Sequence, residues 1–316
     1  AISISKLFDD FVANPVSVIF AHTIFMAINY FIIASGVKGL EKAVRFLMPG
    51  LLLLLFILFI YSLTSGSFMD GVKFMFTPNF NALNWDGVLT AMGLACFTLS
   101  IGMGAIMAYG AYLPQETSIT NATVSVVIAD TGIAMLAGLV IFPLVFANGL
   151  NPGEGPDLVF KTLPLVFGQM QVGVFLATIF FVLLSFAALT SALGLMEPAV
   201  AWMVESTEYN RKQCAATIAS IIWFLGLGTA LSFNTMADFK FLNGTIYENV
   251  DFLTSNIMLP LGGVFTTFFA AWIMSKNSTS EELGGHSIAY RIWRFLAKYF
   301  APIAILVIFL QAIGWI

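Results

Sequence analysis

Residues 97–114 read FTLSIGMGAIMAYGAYLP. The stretch is mostly apolar. It belongs to a run, 87–113, long enough to cross a hydrocarbon core about 30 Å thick. Ser100, Gly102 and Gly104 fall together near the middle of that run. Glycine lowers helix propensity by about 1 kcal/mol relative to alanine, and a pair can let a helix unwind. Unwound backbone inside a membrane must line a cavity or bind something, because lipid cannot satisfy its N–H and C=O groups. The same small residues would also allow close helix packing. Spacing alone leaves both readings open.

The rest of the chain supports a membrane setting. Of its 316 residues, 59% are hydrophobic and only 9% charged, and the mean hydropathy is +0.93. Soluble domains carry about 25% charged residues. A cytosolic enzyme, a nucleic-acid binder and a secreted disulfide scaffold are therefore excluded as classes. Cys96 and Cys214 both sit in apolar runs and suggest neither a disulfide framework nor a zinc site. Eight segments are apolar enough to span: 16–37, 46–63, 87–113, 122–147, 171–204, 213–233, 251–274 and 293–316. Runs of this length predict helices, since barrel strands would alternate over about 10 residues. The expected fold is all-α and polytopic, embedded in the lipid bilayer.

Lys and Arg in the short loops set the orientation. Lys38, Lys42, Arg45, Arg211, Lys212, Lys276, Arg291, Arg294 and Lys298 fall on one side, and Lys6, Lys73, Lys161 and Lys240 on the other. The first group marks the cytoplasmic face, which places both termini outside. An outer N-terminus without a signal peptide is hard to build. The expectation is that an odd number of upstream helices precedes this sequence.

Ionisable groups at mid-membrane cost at least ~2.5–3.5 kcal/mol to insert. Asp130 lies about two turns into the fourth span and reads either as a helix-end carboxylate or as an ion ligand. Glu197, followed by Pro198, reads as a structural acid near a helix end, and Asp251 as a cap or first-turn acid. His22 is expected to pack within the bundle. Free carbonyls from a broken helix, the hydroxyls of Thr190 and Ser191, and the Asp130 carboxylate together offer the oxygen ligands that hard monovalent cations take.

At this point longer motifs matter. GVKGLEKAVRFLMPGLL (36–52), FTLSIGMGAIMAYGAYLP (97–114), GPDLVFKTLPLVF (155–167), FAALTSALGLMEPAVAWMVE (186–205) and DFLTSNIMLPLGG (251–263) follow one another along the chain. In this order the chain resembles the neurotransmitter:sodium symporter family, bacterial type, with its leucine-transporter fold. The resemblance implies a C-terminal fragment holding helices four to eleven. It has a complete second inverted repeat at about 87–274 and lacks the N-terminal helices of the same protein. The chain is then one membrane transport domain, 1–316, in the cell membrane.

Carried over by resemblance, Thr98 and Asp130 belong to a first sodium site. The Ala187 carbonyl and the Thr190 and Ser191 hydroxyls belong to a second. Phe97, Thr98, Ser100, Met103, Ser191 and Leu195 line the substrate pocket. Phe97 and Asp251 form the extracellular gate, and Gly102 and Gly104 mark the helix break. Two departures stand out. Leu94 occupies a position where the family commonly has Gln, and Asp130 one where Asn is commoner. The charge of Asp130 leads to the expectation of chloride-independent transport.

The function so implied is sodium-coupled symport of a neutral, hydrophobic amino acid by alternating access. The chain is then a transporter, not an enzyme. It uses one or two sodium ions, a small amino-acid substrate, no organic cofactor and no nucleic acid. The alternative is a sodium- or proton-linked permease for another small solute on the same fold. A channel, a structural subunit and an intramembrane enzyme rank below, since neither a filter motif nor a base partner for a buried acid stands out. Taken by itself, the 316-residue chain is not expected to transport.

Overall fold

The computed structural model describes residues 2–81, 83–150, 158–242, 244–285 and 287–315. Its regular elements are helices: α1 (Ile2–Ala13), α2 (Pro15–Ala34), α3 (Gly36–Leu63), α4 (Phe68–Phe76), α5 (Trp85–Thr98), α6 (Ala105–Ala111) and α7 (Ile119–Ala147). They continue with α8 (Leu163–Gly168), α9 (Gly173–Ser206), α10 (Arg211–Leu231), α11 (Ile246–Ile273), α12 (Lys276–Glu282) and α13 (Ile288–Ala312). Seven of these, α2, α3, α7, α9, α10, α11 and α13, are long and apolar enough to cross a membrane. The eighth expected span, 87–113, is two pieces: α5 and α6, of 14 and 7 residues, with the break between them. Neither piece spans alone. The motif at 155–167 begins outside the described residues, and its remainder forms a π-helical turn, Leu158–Thr162, running into α8.

Helix starts follow local side-chain chemistry. The Asn14 side chain accepts from the N–H groups of Val16 and Ser17 at the head of α2, with Pro15 in the first turn. Asn210 with Gln213, and Thr245 with Glu248, form reciprocal capping boxes at the heads of α10 and α11. Gly36, at φ +82°, turns the chain from α2 into α3.

The chain divides into two compact units. The first holds residues 1–78 and 132–240. Within it α10 packs along α2, and α9 along α3. Its core joins Leu55, Leu58, Leu144, Val166, Leu176 and Phe180. His22 is packed as expected. Its Nε2 lies 3.2 Å from the Trp223 carbonyl, and its ring covers Gly226, where a Cβ would come within 2.7 Å. Glu197 is fully buried, and its Oε2 accepts from Arg211 Nη2 at 2.6 Å. Arg211 Nε also donates to the Ile33 carbonyl at 2.9 Å. One guanidinium therefore ties α2, α9 and α10 together.

The second unit holds residues 79–131 and 241–316. There α11 packs on α13. Helix α11 widens to a π-helix over Phe252–Met258 and again over Phe269–Ile273, and α13 does so over Leu296–Phe300. Arg294 donates to the Ala271 carbonyl at 3.1 Å and to the Tyr290 hydroxyl at 3.0 Å, pinning α13 to the end of α11.

Large apolar side chains are widely exposed: Leu53 by 62%, Phe224 by 71% and Val174 by 86%. Water would not tolerate so many such faces, and lipid would. The burial of Glu197 then sets an energetic test. Removing one partner of a buried ion pair leaves an unbalanced charge and costs about 3–5 kcal/mol. Arg211→Leu is expected to melt well below wild type in detergent, and the Glu197→Gln/Arg211→Leu double variant to recover a large part of the loss. A thermal-shift series checks this, and equal melting of wild type and Arg211→Leu would refute it.

Candidate functional site

The structure groups the expected site residues into two sets, one on each unit. On the second unit the decisive feature is the interruption of a membrane-length run. Helix α5 stops at Thr98 and α6 starts at Ala105. Ser100, Gly102 and Gly104 all take left-handed backbone, at φ +52°, +86° and +83°. Only glycine does so freely, so two of the three turns follow from residue type. Within the break Ser100 N–H donates to the Phe97 carbonyl at 3.0 Å, and Ile101 N–H to the Cys96 carbonyl at 3.0 Å. The carbonyls of Thr98, Leu99, Ile101 and Gly102 accept no hydrogen bond among the described residues. The Phe97 carbonyl is thus engaged within the chain, while that of Thr98 has no donor among the described residues.

A wall supports the break from α11. A Cβ at Gly102 would lie 2.6 Å from the Leu259 carbonyl oxygen and 2.8 Å from the Gly262 carbonyl carbon. The two segments meet backbone to backbone. Reading the sequence for ligands missed this contact. The glycine pair in LPLGG (259–263) was its only signal, and a glycine names no partner.

The other expected groups of this unit are placed as follows. The Thr98 hydroxyl is exposed and lies 3.4 Å from the Ala95 carbonyl. Asp130 is partly buried in α7, with no ion pair or hydrogen bond to its side chain among the described residues. Phe97 is half exposed, and Met103 is partly buried within the break. Asp251 is exposed and closes the first α-helical part of α11, and its Oδ1 accepts from the Ser255 hydroxyl at 3.2 Å. No bond joins Thr98 to Asp130.

On the first unit Ala187, Thr190, Ser191 and Leu195 share one face of α9, as steps of three and four residues require. Thr190 Oγ1 donates back to the Ala187 carbonyl at 2.9 Å or to that of Phe186 at 3.1 Å. Its oxygen lone pairs remain available. Ser191 and Leu195 are exposed. Chemically, the two faces offer hydroxyl, carbonyl and carboxylate oxygens beside apolar surface, the donor set of a hard monovalent cation rather than a transition metal. Among the described residues no cluster of His, Cys, Asp and Glu fits a multivalent metal.

Comparison with known proteins places the chain in a family. Residues 1–315 match the Sodium:neurotransmitter symporter family. The chain belongs to that family. It is 36% identical to an uncharacterized sodium-dependent transporter of Bacillus subtilis, YhdH, over 98% of this chain and 69% of the relative. It is 32% identical to an uncharacterized sodium-dependent transporter of Haemophilus influenzae, over 94% of this chain and 66% of that one. The crystal structure of MhsT in complex with L-phenylalanine superposes with a TM-score of 0.86 at 40% identity, covering 96% of this chain and 70% of that one. The all-α, leucine-transporter-type fold and the multi-pass membrane character expected from the sequence are both found. The family's activity is sodium-coupled transport.

The break itself carries a testable strain. Left-handed backbone costs a residue other than glycine about 1–3 kcal/mol. Ser100→Gly is expected to melt at or above wild type, and Ser100→Val clearly below it, because a β-branched side chain fits this conformation worst. Thermal shift of the two variants side by side decides the matter, and a Ser100→Val protein as stable as Ser100→Gly would exclude the strained geometry.

Proposed function

We propose that this chain is a single transport domain of a symporter that couples sodium to a neutral, hydrophobic amino acid. The observation that carries this reading is the break at 99–104 with its free carbonyls. Broken helices at mid-membrane are where secondary transporters hold coupling ions and solute. In this reading Thr98 and Asp130 serve a first sodium ion, and the Ala187 carbonyl with the Thr190 and Ser191 hydroxyls serves a second. Phe97, Thr98, Ser100, Met103, Ser191 and Leu195 contact the substrate, and Phe97 and Asp251 gate it from outside. The L-phenylalanine bound by MhsT, a relative at 40% identity, supports an apolar amino acid as cargo.

The energetics are adequate. One charge crossing 100 mV is worth ~2.3 kcal/mol, and a tenfold gradient adds ~1.4 kcal/mol. Two sodium ions then supply roughly 7 kcal/mol, enough for accumulation on the order of 10⁵-fold under tight coupling. The protein's part is to bind ion and solute together and to expose them to one side at a time. Oxygen ligands hold the ion, and the walls of Phe97, Met103 and Leu195 exclude water from the solute's side chain. Such walls discriminate one methylene by only about 1–3 kcal/mol, so several hydrophobic amino acids should compete.

The test is uptake of radiolabelled L-phenylalanine by proteoliposomes holding the full-length protein under an inward sodium gradient. Uptake should need sodium and persist when gluconate replaces chloride. Asp130→Asn should raise the sodium concentration for half-maximal uptake about tenfold or more. That is only ~1.4 kcal/mol, well below what a full charge a few ångströms away supplies at an effective dielectric of about 20. Full uptake without sodium, driven by a proton gradient, would favour a proton-linked permease. An unchanged sodium dependence in Asp130→Asn would remove that residue from the site.

A further inference from the structure

We infer that Gly262 of α11 is a positioning residue: its backbone contact with Gly102 fixes where the free carbonyls of the break lie. The inference rests on the reading that this break holds the transported ion and solute. A Cβ added at Gly262 would collide with the Gly102 carbonyl oxygen and lie 3.1 Å from its carbon and 3.2 Å from its Cα. From the other side, a Cβ at Gly102 would collide with the Gly263 backbone nitrogen and meet the Leu259 carbonyl oxygen and the Gly262 carbonyl carbon. All of these neighbours are backbone, so none can move aside by changing rotamer.

Conformation does not demand glycine at this position. Gly262 lies in the ordinary α-helical part of α11, Leu259–Phe268, and is not among the residues with positive φ. Alanine would favour that helix more. The bare Cα is needed only because the break presses on it. The next residue makes the comparison sharp. A Cβ at Gly263 would lie 3.3 Å from Ile305 Cδ1 and 3.5 Å from Ile101 Cγ2, both ends of side chains that can rotate. The space a side chain would take thus differs in kind at the two glycines, ending on backbone at Gly262 and on side chains at Gly263. The same helix carries Asp251, with the π-helical turns of Phe252–Met258 between. A single element therefore backs the break and bears the proposed gate acid.

The chain supplies its own reporter. Cys96 lines a cavity of about 490 Å³ between α5, α11 and α13, and its carbonyl accepts from Ile101 in the break. Cys214 is buried and serves as a reference. Gly262→Ala and Gly263→Ala are made in the full-length protein. Maleimide labelling of both cysteines is timed in membranes, and sodium-driven L-phenylalanine uptake is measured in proteoliposomes.

Gly262→Ala should change the Cys96 labelling rate severalfold and leave Cys214 unlabelled. It should also raise the KM for sodium and for L-phenylalanine about tenfold or more, with Vmax moved less, as a misplacement near 1 Å would. Gly263→Ala should behave like wild type in every readout. Unchanged Cys96 labelling in Gly262→Ala, or equal effects of the two substitutions, overturns the inference. So does labelling of Cys214 in Gly262→Ala, which would mark general unfolding. Wild-type protein that accumulates no L-phenylalanine defeats the transport reading instead, while the Cys96 rates still decide the role of Gly262.

Discussion

Backbone amides that enter a hydrocarbon layer must find partners within the protein, because the solvent offers none. Every part of this chain follows from that constraint. Seven helices meet it by carrying their hydrogen bonds internally along 20 to 34 residues. The π-helical turns in α11 and α13 meet it with a wider turn that keeps the bonds intact. The stretch from Thr98 to Gly102 departs from it: the carbonyls of Thr98, Leu99, Ile101 and Gly102 accept no hydrogen bond among the described residues. Such an arrangement is costly in lipid and useful around a cation. On the proposed reading, the departure rather than the helices carries the function.

Two membrane acids show how surroundings decide a role. Glu197 and Asp130 both lie on long apolar helices, and each would be expensive if left alone in lipid. Glu197 is fully buried against Arg211, which also holds the Ile33 carbonyl, so its charge is balanced by structure. Asp130 has no such partner among the described residues and lies on the unit that also bears the break. A charge balanced within the protein is a clamp. In the proposed reading, Asp130 finds its partner in the transported ion instead.

Much of this was legible in the sequence. The spans were readable because length and hydropathy set them directly, and α2, α3, α7 and α9 lie close to the segments expected. Ser100, Gly102 and Gly104 marked the place of the break by interrupting an apolar run, but residue type left unwinding and close packing open, and the family motif decided between them. Glu197 read as a structural acid, but Arg211 fourteen residues later was invisible as its partner, since a loop separates them and periodicity does not cross loops. The π-helical turns left no trace either, because the residue types of Phe252–Met258 and Leu296–Phe300 do not distinguish a π-helical turn from the α-helix it interrupts. The site residues were named through family motifs. Geometry adds their local state, such as the Phe97 carbonyl engaged by Ser100 and the Thr190 hydroxyl turned to its own helix.

Gly102 shows why the two readings of its motif were never rivals. The small residues could have meant an unwound helix or a close approach, and the spacing favoured neither. In the structure Gly102 is both: its backbone is left-handed, and its Cα lies against the backbone of Gly262. Unwinding leaves polar backbone exposed, and that backbone needs a surface close enough to hold it without filling the space beside it. Another helix can come that close only where both lack a side chain. An unwound segment that must also be rigid therefore calls for glycine twice, once in the segment for conformation and once in its neighbour for room. Gly262, in ordinary helix, needs only the second reason.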